Sequence, residues 1–246
     1  MELLILAAGT GSRLSPQTDH LPKCLLAIEN DVTILDHQLG LAKNLGIKTV
    51  TIVIGFQHEL IEKALEKAKP FFEKIITVYN PFFETTNNLV SLWLGFDGIN
   101  DTVLMMNGDS VLNLNILRSC VSVSNDIIIP ISKKDSYDTD DTKLALDSSG
   151  HILEISKKIP PEKISAEWMG VCLFPRDKIK DVKAIIESKI RQPELLKAYP
   201  HYLSVFNELI AQNHVLKTKV FDSYSWAEID YQFDLDDVRA HVKRYR

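Results

Sequence analysis

The amino end of the chain carries its tightest constraint: a continuous apolar run, Leu3-Leu4-Ile5-Leu6, that passes through Ala7-Ala8 into Gly9-Thr10-Gly11-Ser12-Arg13. A strand with apolar side chains at every position has to be buried on both faces, as at the centre of a parallel sheet covered by helices. Small residues directly after such a strand let backbone N–H groups approach a bulky anion without obstruction. The first half of the chain then repeats the strand–helix unit. Ile34, Leu35, Gln38, Leu39, Leu41 and Ala42 fall at helical spacing ahead of Gly46, where a helix would end. Residues 49–55 form a β-branched run, 59–69 a charged amphipathic helix, 75–79 a strand and 87–96 an apolar helix. Residues 102–106 complete the series with a strand that stops at Asn107-Gly108-Asp109.

Alternation of this kind predicts βαβ units with right-handed crossovers, in an α/β sheet flanked by helices on both sides. Ligands of such sheets sit at the carboxyl ends of the strands, so the Gly9 loop, Gly55-Phe56, Asn80 and Asp109 should share one rim. The second half is less regular. It reads as strands at 127–131, 142–146, 152–155 and 171–174, helices around 180–189 and 202–212, an aromatic and acidic segment at 224–230, and a last helix from about 235 to 245. No repeat or low-complexity linker interrupts it, and with 246 residues and 45% hydrophobic content one domain is expected.

A net charge of −5 argues against a broad basic face for nucleic acid or anionic membrane. Cys24, Cys120 and Cys172 lie far apart with no C-x-x-C spacing, so buried reduced thiols are expected rather than a disulfide framework or zinc site. The apolar amino terminus lacks a basic flank and is broken by Gly9, which leaves neither a targeting segment nor a membrane span and makes a cytoplasmic enzyme the expectation.

The chemistry is concentrated in Leu6-Ala7-Ala8-Gly9-Thr10-Gly11-Ser12-Arg13, continued by Pro16, Thr18 and Pro22-Lys23. Arg13 and Lys23 bring two positive charges to the glycine loop, where they would neutralise a triphosphate and the charge building on a departing pyrophosphate. Other glycine motifs fail: Leu14 stands where a dinucleotide fingerprint needs a third glycine, and no Gly-Lys-Ser/Thr is present. The stretch from Ile5 to Leu26 resembles the signature of the sugar-phosphate nucleotidyltransferase superfamily. Within it the chain is most similar to small phosphocholine cytidylyltransferases, through Asn80-Pro81-Phe82-Phe83-Glu84-Thr85-Thr86-Asn87-Asn88, Asp141-Thr142-Lys143, Glu167-Trp168-Met169-Gly170 and Trp226-Ala227-Glu228-Ile229-Asp230.

The resemblance implies a single GT-A-like domain with a mixed, mainly parallel sheet: a nucleotide-binding half over about residues 1–115, and a more irregular acceptor-binding, metal-completing half over about 116–246. It implies Asp109 and Asp230 as ligands of Mg²⁺ or another divalent cation, a hard ion suited to carboxylate and phosphate oxygens. Backbone groups around Ala7, Ala8 and Gly9 would read the base edge, and CTP as the nucleotide follows from the resemblance alone. The expected reaction is in-line attack by an anionic phosphate or phosphonate oxygen of a small acceptor on the α-phosphorus, with loss of pyrophosphate and no protein nucleophile.

Trp168, Trp226, Tyr224 and Tyr231, beside the acids Glu167 and Glu228, suit a quaternary ammonium and favour phosphocholine, or else they are ordinary core and rim packing. 2-Aminoethylphosphonate, other amine phosphates, inositol phosphate and sugar 1-phosphates stay open. Lys143 could reach the acceptor phosphate, as the resemblance suggests, or be an exposed strand lysine. Asn87 and Asn88 could bind the acceptor or the nucleotide, or cap the following helix, and function is favoured for Asn87 only. The seven histidines show no metal-binding spacing. Two rivals remain: a regulatory nucleotide-binding module, against which the joint presence of Arg13, Lys23, Asp109 and Asp230 argues, and a glycosyltransferase, against which Asp109-Ser110-Val111 argues by lacking a second acid.

Overall fold

The computed structural model describes residues 1–122, 125–197 and 201–245. Four parallel strands form the heart of the molecule: β1 (Glu2–Ala7), β4 (Thr49–Ile54), β5 (Lys74–Tyr79) and β6 (Val103–Asn107), in the order β6-β1-β4-β5. Leu3 lies between Val50 and Leu104, which fixes the register on both sides of β1. The continuous apolar run is explained by burial on both faces: Leu4 packs with Val53 and Met105 on one side, and Leu3 and Ile5 with Ile52 and Met106 on the other. Helices α1 (Ile34–Asn44), α2 (His58–Leu65) and α3 (Asn88–Phe96) make the crossovers. The Thr33 hydroxyl and Asp36 carboxylate cap α1 reciprocally, and Asn87 caps α3 by accepting from Asn88 N–H. Helix α2 stops at Leu65, short of the predicted 69, and turns lead into a separate 3₁₀ segment at Lys69–Phe71 that carries Pro70.

The sheet continues on the β6 side in the opposite sense. Strand β12 (Val171–Phe174) pairs antiparallel with β6 and β8 (Ile127–Ser132), followed outward by β11 (Ala166–Trp168), β9 (Lys143–Leu146) and β10 (Ile152–Ser156), while β13 (Leu216–Phe221) runs parallel to β8. Helices α4 (Leu114–Val121), α5 (Ile179–Ile190), α6 (Pro193–Lys197) and α7 (Leu203–Ala211) complete this half.

Short pieces missed by periodicity include β2 (Ala27–Glu29) with β3 (Val32–Thr33), and β7 (Ser110–Leu112) with β14 (Trp226–Glu228). The last helix, α8 (Gln232–Ala240), begins earlier than its apolar spacing suggested, and residues 242–245 form a separate 3₁₀ turn. Its start is set by the Asp234 carboxylate, which accepts from the backbone N–H of Asp230 and Tyr231 at 2.9 and 2.7 Å. A third apolar cluster joins Leu14, Leu26 and Ile34 to Val111, Ile229, Leu235 and Val238. That cluster carries the end of the chain back across the amino-terminal loop. Among the described residues no helix is long and apolar enough to cross a membrane.

Candidate active site

The carboxyl ends of β1, β5 and β6 open on a cavity of about 490 Å³, which Asn80 and Asp109 line and the expected Gly55-Phe56 does not. Leu6, Ala7, Ala8, Gly9, Thr10, Gly11, Ser12, Arg13 and Lys23 line it, together with Asn87, Asp109, Glu228 and Asp230. The glycine loop is pressed down by neighbours that have no room for a side chain. A Cβ on Gly55 would stand 2.6 Å from the Ala8 carbonyl oxygen, and one on Gly108 would stand 2.8 Å from that of Leu6. Gly11 adopts a left-handed φ of 66°, and its carbonyl accepts a 2.8 Å bond from the Thr18 hydroxyl, which folds the loop against Lys23. Gly9 differs from these: a Cβ there would meet nothing within 4 Å, so its smallness leaves open cavity space rather than relieving a protein contact.

Arg13 and Lys23 meet both predicted carboxylates directly. The Lys23 ammonium donates to Asp109 Oδ2 at 2.8 Å and Asp230 Oδ1 at 2.6 Å, and Arg13 Nη2 donates to the same Asp230 oxygen at 2.7 Å. Burial works against the charge on Lys23, but Asp109 and Asp230 outweigh it and push its pKa up to about 12. Asp109 Oδ1 is buried and has no hydrogen-bond partner among the described residues. Glu228, in the same cavity wall, is pushed up to about 8, first by desolvation and then by repulsion from Asp109 and Asp230.

Backbone and buried amides fix this geometry. The Gln38 amide, fully buried on the otherwise apolar face of α1, donates to the carbonyls of Asn107 and Ser110 at 2.8 and 2.9 Å and so pins the chain on either side of Asp109. Ile229 N–H donates to the Asp109 carbonyl at 3.1 Å, which sets Asp230 opposite. The Tyr202 hydroxyl donates to Asn107 Oδ1 at 2.6 Å, and the Asn107 amide reaches Glu228 Oε1 at 3.3 Å. The sequence set Gln38 in a helical stripe, offered Asn88 beside Asn87 as a substrate ligand or cap without favouring it, and did not mark Asn107, Lys157, His201 or Tyr202; all but Gln38 are residues of the cavity wall. A lone polar residue on an apolar helix face was the available signal for Gln38; Lys157, His201 and Tyr202 lacked one, since distant segments supply them. Asn88 Oδ1 accepts from Tyr202 N–H at 2.9 Å, joining the two halves of the wall. His201 is held neutral, its pKa pushed down to about 3 by burial and by Lys157.

Four expected acceptor residues lie elsewhere. Lys143 is buried, and its ammonium donates to the carbonyls of Thr139, Asp141 and Lys157 at 3.3, 3.3 and 3.1 Å, so it ties two loops together instead of facing the cavity. Trp168 is a core residue: its indole N–H donates to Val171 O at 2.6 Å and its ring packs edge-on against Tyr202 and Phe206. Glu167 and Trp226 line an adjoining acidic cavity of about 440 Å³ that shares Glu228 and Asp230 with the first. There Glu167 is paired with Lys134 at 2.8 Å, and the Trp226 N–H is bonded to Ser132 Oγ at 2.9 Å. Tyr224 is exposed beneath Arg244, and Tyr231 stacks on Phe233. The three thiols are free and buried, and burial pushes those of Cys24 and Cys120 up to about 12, which leaves them inert as nucleophiles.

A mixed α/β sheet with a glycine loop and two cations facing two acids at its strand ends is the layout of a nucleotidyltransferase. Residues 3–201 match the MobA-like NTP transferase domain, and the chain belongs to that family. A CTP:phosphoglutamine cytidylyltransferase of Campylobacter jejuni is 24% identical over 96% of this chain and 98% of its own length. A choline-phosphate cytidylyltransferase of Streptococcus pneumoniae is 29% identical over 48% of this chain and 49% of its own. The fold is shared with the CTP:phosphocholine cytidylyltransferase structure from Streptococcus pneumoniae, with a TM-score of 0.78, 21% identity and 98% of both chains covered. It is shared equally with the inositol-1-phosphate CTP transferase of T. maritima, with a TM-score of 0.78, 20% identity and 98% and 96% covered.

Proposed function

We propose that the protein transfers a cytidylyl group from CTP to a phosphate or phosphonate oxygen of a small amine-bearing acceptor. The acceptor oxygen forms a bond to the α-phosphorus as the bond to the β-phosphate oxygen breaks, and pyrophosphate leaves. The observation that carries this reading is the convergence of Arg13, Lys23, Asp109 and Asp230 at one end of a cavity floored by the glycine loop. Arg13 and Lys23 are the cations that would hold the triphosphate and the leaving pyrophosphate, and the backbone around Ala7, Ala8 and Gly9 is the wall offered to the base. An acceptor oxygen that is already anionic needs no base, so neither neutral His201, strongly basic Lys23 nor Glu228, raised to about 8, is given that role.

The residues fit a divalent cation. Asp109 and Asp230 are near enough for one ammonium to bond both, and Asp109 keeps a buried oxygen without a partner among the described residues. Two carboxylates supplemented by substrate phosphates and water are a usual protein share of a Mg²⁺ site. When bound, the ion would neutralise phosphate charge; Asp109 and Asp230 would hold it, releasing Lys23 towards the phosphates.

Phosphocholine is the acceptor we place first, supported by the Streptococcus pneumoniae relative and by the acids that adjoin the site. The aromatic argument for it is weaker than the sequence suggested, because Trp168 is committed to the core. Phosphoglutamine and 2-aminoethylphosphonate belong in the same test, being named for relatives matched over 96% and 63% of this chain. Pyrophosphate release is measured with each nucleoside triphosphate against phosphocholine, phosphoglutamine, 2-aminoethylphosphonate and a sugar 1-phosphate. Release with CTP that depends on an amine-bearing acceptor is expected. Release of free nucleoside diphosphate, or no turnover with any pair, ends the proposal.

A further inference from the structure

Arg13 is bonded to two carboxylates, of which Lys23 shares only one. Its Nη2 is bonded to Asp230, and its Nη1 donates to Asp140 Oδ2 at 2.9 Å across 127 residues of sequence. The same Asp140 oxygen accepts from the Tyr231 hydroxyl, and the Tyr231 ring centroid lies 5.4 Å from the guanidinium carbon. Nothing in the sequence marked Asp140 as part of the site. We propose that Asp140 is a built-in competitor of the triphosphate for Arg13, and that nucleotide binding exchanges this carboxylate for phosphate oxygens. The inference rests on the reading of Arg13 as a triphosphate ligand.

The exchange is cheap on the Asp140 side and costly on the Asp230 side. The Arg13 and Asp140 side chains are each 41% exposed, so either recovers hydration when the pair opens; Asp230 is only 12% exposed, and although Lys23 also bonds it, it would lose one of its two cations where little water can replace it. Asp140 also keeps the Tyr231 hydroxyl as a donor after Arg13 leaves. Its position does not collapse either. Lys143 grips the carbonyls of Thr139 and Asp141 on both sides of it, and the Asp141 carboxylate accepts from Asp138 N–H at 2.7 Å and from Lys134 at 2.7 Å. A braced loop therefore presents one loose carboxylate to one loose guanidinium. This gives the buried Lys143 a role without substrate contact: it holds the competitor in place.

The contact also links the two cavities. Asp140 lines the acidic one and Arg13 the glycine-loop one, so the ion pair bridges their mouths. Once the triphosphate has taken Arg13, that bridge is open.

The test is isothermal titration of CTP with magnesium, and of inorganic tripolyphosphate as a base-free probe, into the wild-type chain and the variants Asp140→Asn and Asp138→Asn. Asp138 shares the loop and the charge but is not bonded to Arg13. Asp140→Asn is expected to tighten both ligands by roughly two- to five-fold, the range that an exposed ion pair accounts for. Asp138→Asn is expected to change them by less than half as much. Unchanged or weaker binding in Asp140→Asn, or equal tightening in both variants, overturns the competition, the latter by exposing a general charge effect. Failure of the wild-type chain to bind any nucleoside triphosphate or tripolyphosphate ends the nucleotidyltransferase reading and this inference with it.

Discussion

Lys23→Met isolates the ammonium that stands between Asp109 and Asp230, because methionine keeps much of the apolar stem and fits the space. In the folded chain the Lys23 pKa is raised from 10.5 to about 12, which corresponds to about 2 kcal/mol at 1.36 kcal/mol per pH unit. A pKa raised on folding means that this stabilisation is complete below pH 10.5 and is lost as pH rises through about 12, so all of it is at stake at pH 7.5. Removing the ammonium also leaves Asp109 without its cation, while Asp230 keeps Arg13, so repulsion between the two carboxylates adds to the loss. For a chain of this length the expected fall in melting temperature is about 4–8 °C. Turnover should fall about 100- to 1,000-fold, the usual cost of losing a preorganised group that neutralises transition-state charge. Millimolar magnesium without nucleotide should raise the melting temperature of the variant more than that of the wild type, because no ammonium then competes for Asp109 and Asp230. Scanning calorimetry with and without magnesium, and pyrophosphate release in parallel, read all three effects. A melting temperature within about 1 °C of wild type would show that the ion pairs contribute nothing. An equal response to magnesium would remove the carboxylate pair as its site.

Gly9→Ala should leave the melting temperature within about 2 °C, since the added Cβ meets no protein atom within 4 Å, while CTP affinity falls; normal affinity by titration would show that the cradle does not receive the nucleotide. Glu228→Gln should stabilise the metal-free protein increasingly between pH 5 and pH 8: a carboxyl raised to about 8 costs stability as pH climbs above its unfolded value, and the amide has no such cost. Thermal scans with chelator check this, and a difference that does not change with pH refutes it. Lys143→Met should cost about 1–3 kcal/mol in urea unfolding by stripping a buried donor from three carbonyls, and a stability equal to wild type would deny its role as a staple.

The parts that sequence made legible are those governed by local periodicity. β1 could be read because a strand buried on both faces shows an unbroken apolar run, β4 because it is β-branched throughout, and α1 because its apolar stripe and Thr33 cap are local. The glycine loop, Arg13 and Lys23 could be read because one turn of chain supplies all of them. Elements of two or three residues, such as β2, β3, β7 and β14, are too short to show a period; tertiary pairing defines them. The acceptor side failed for a related reason. Lys143 and Trp168 sit in sequence beside plausible site residues, but strand alternation and the loop after β10 turn one amine onto carbonyls and one indole into the core.

Which acids face the amino-terminal cations was decided by packing that no motif encodes. Asp230 reaches Arg13 because Ile229, Leu235 and Val238 bury themselves with Leu14, Leu26 and Ile34, carrying the last segment over the loop. Truncating Leu14, which is 2% exposed, to alanine should therefore cost about 2–5 kcal/mol as a core cavity and also displace Arg13 from Asp230. The two effects can be separated by titrating tripolyphosphate into folded Leu14→Ala below its melting temperature. Weakened binding there would show that the apolar cluster positions the charges, while wild-type affinity would show that Arg13 finds its place without it.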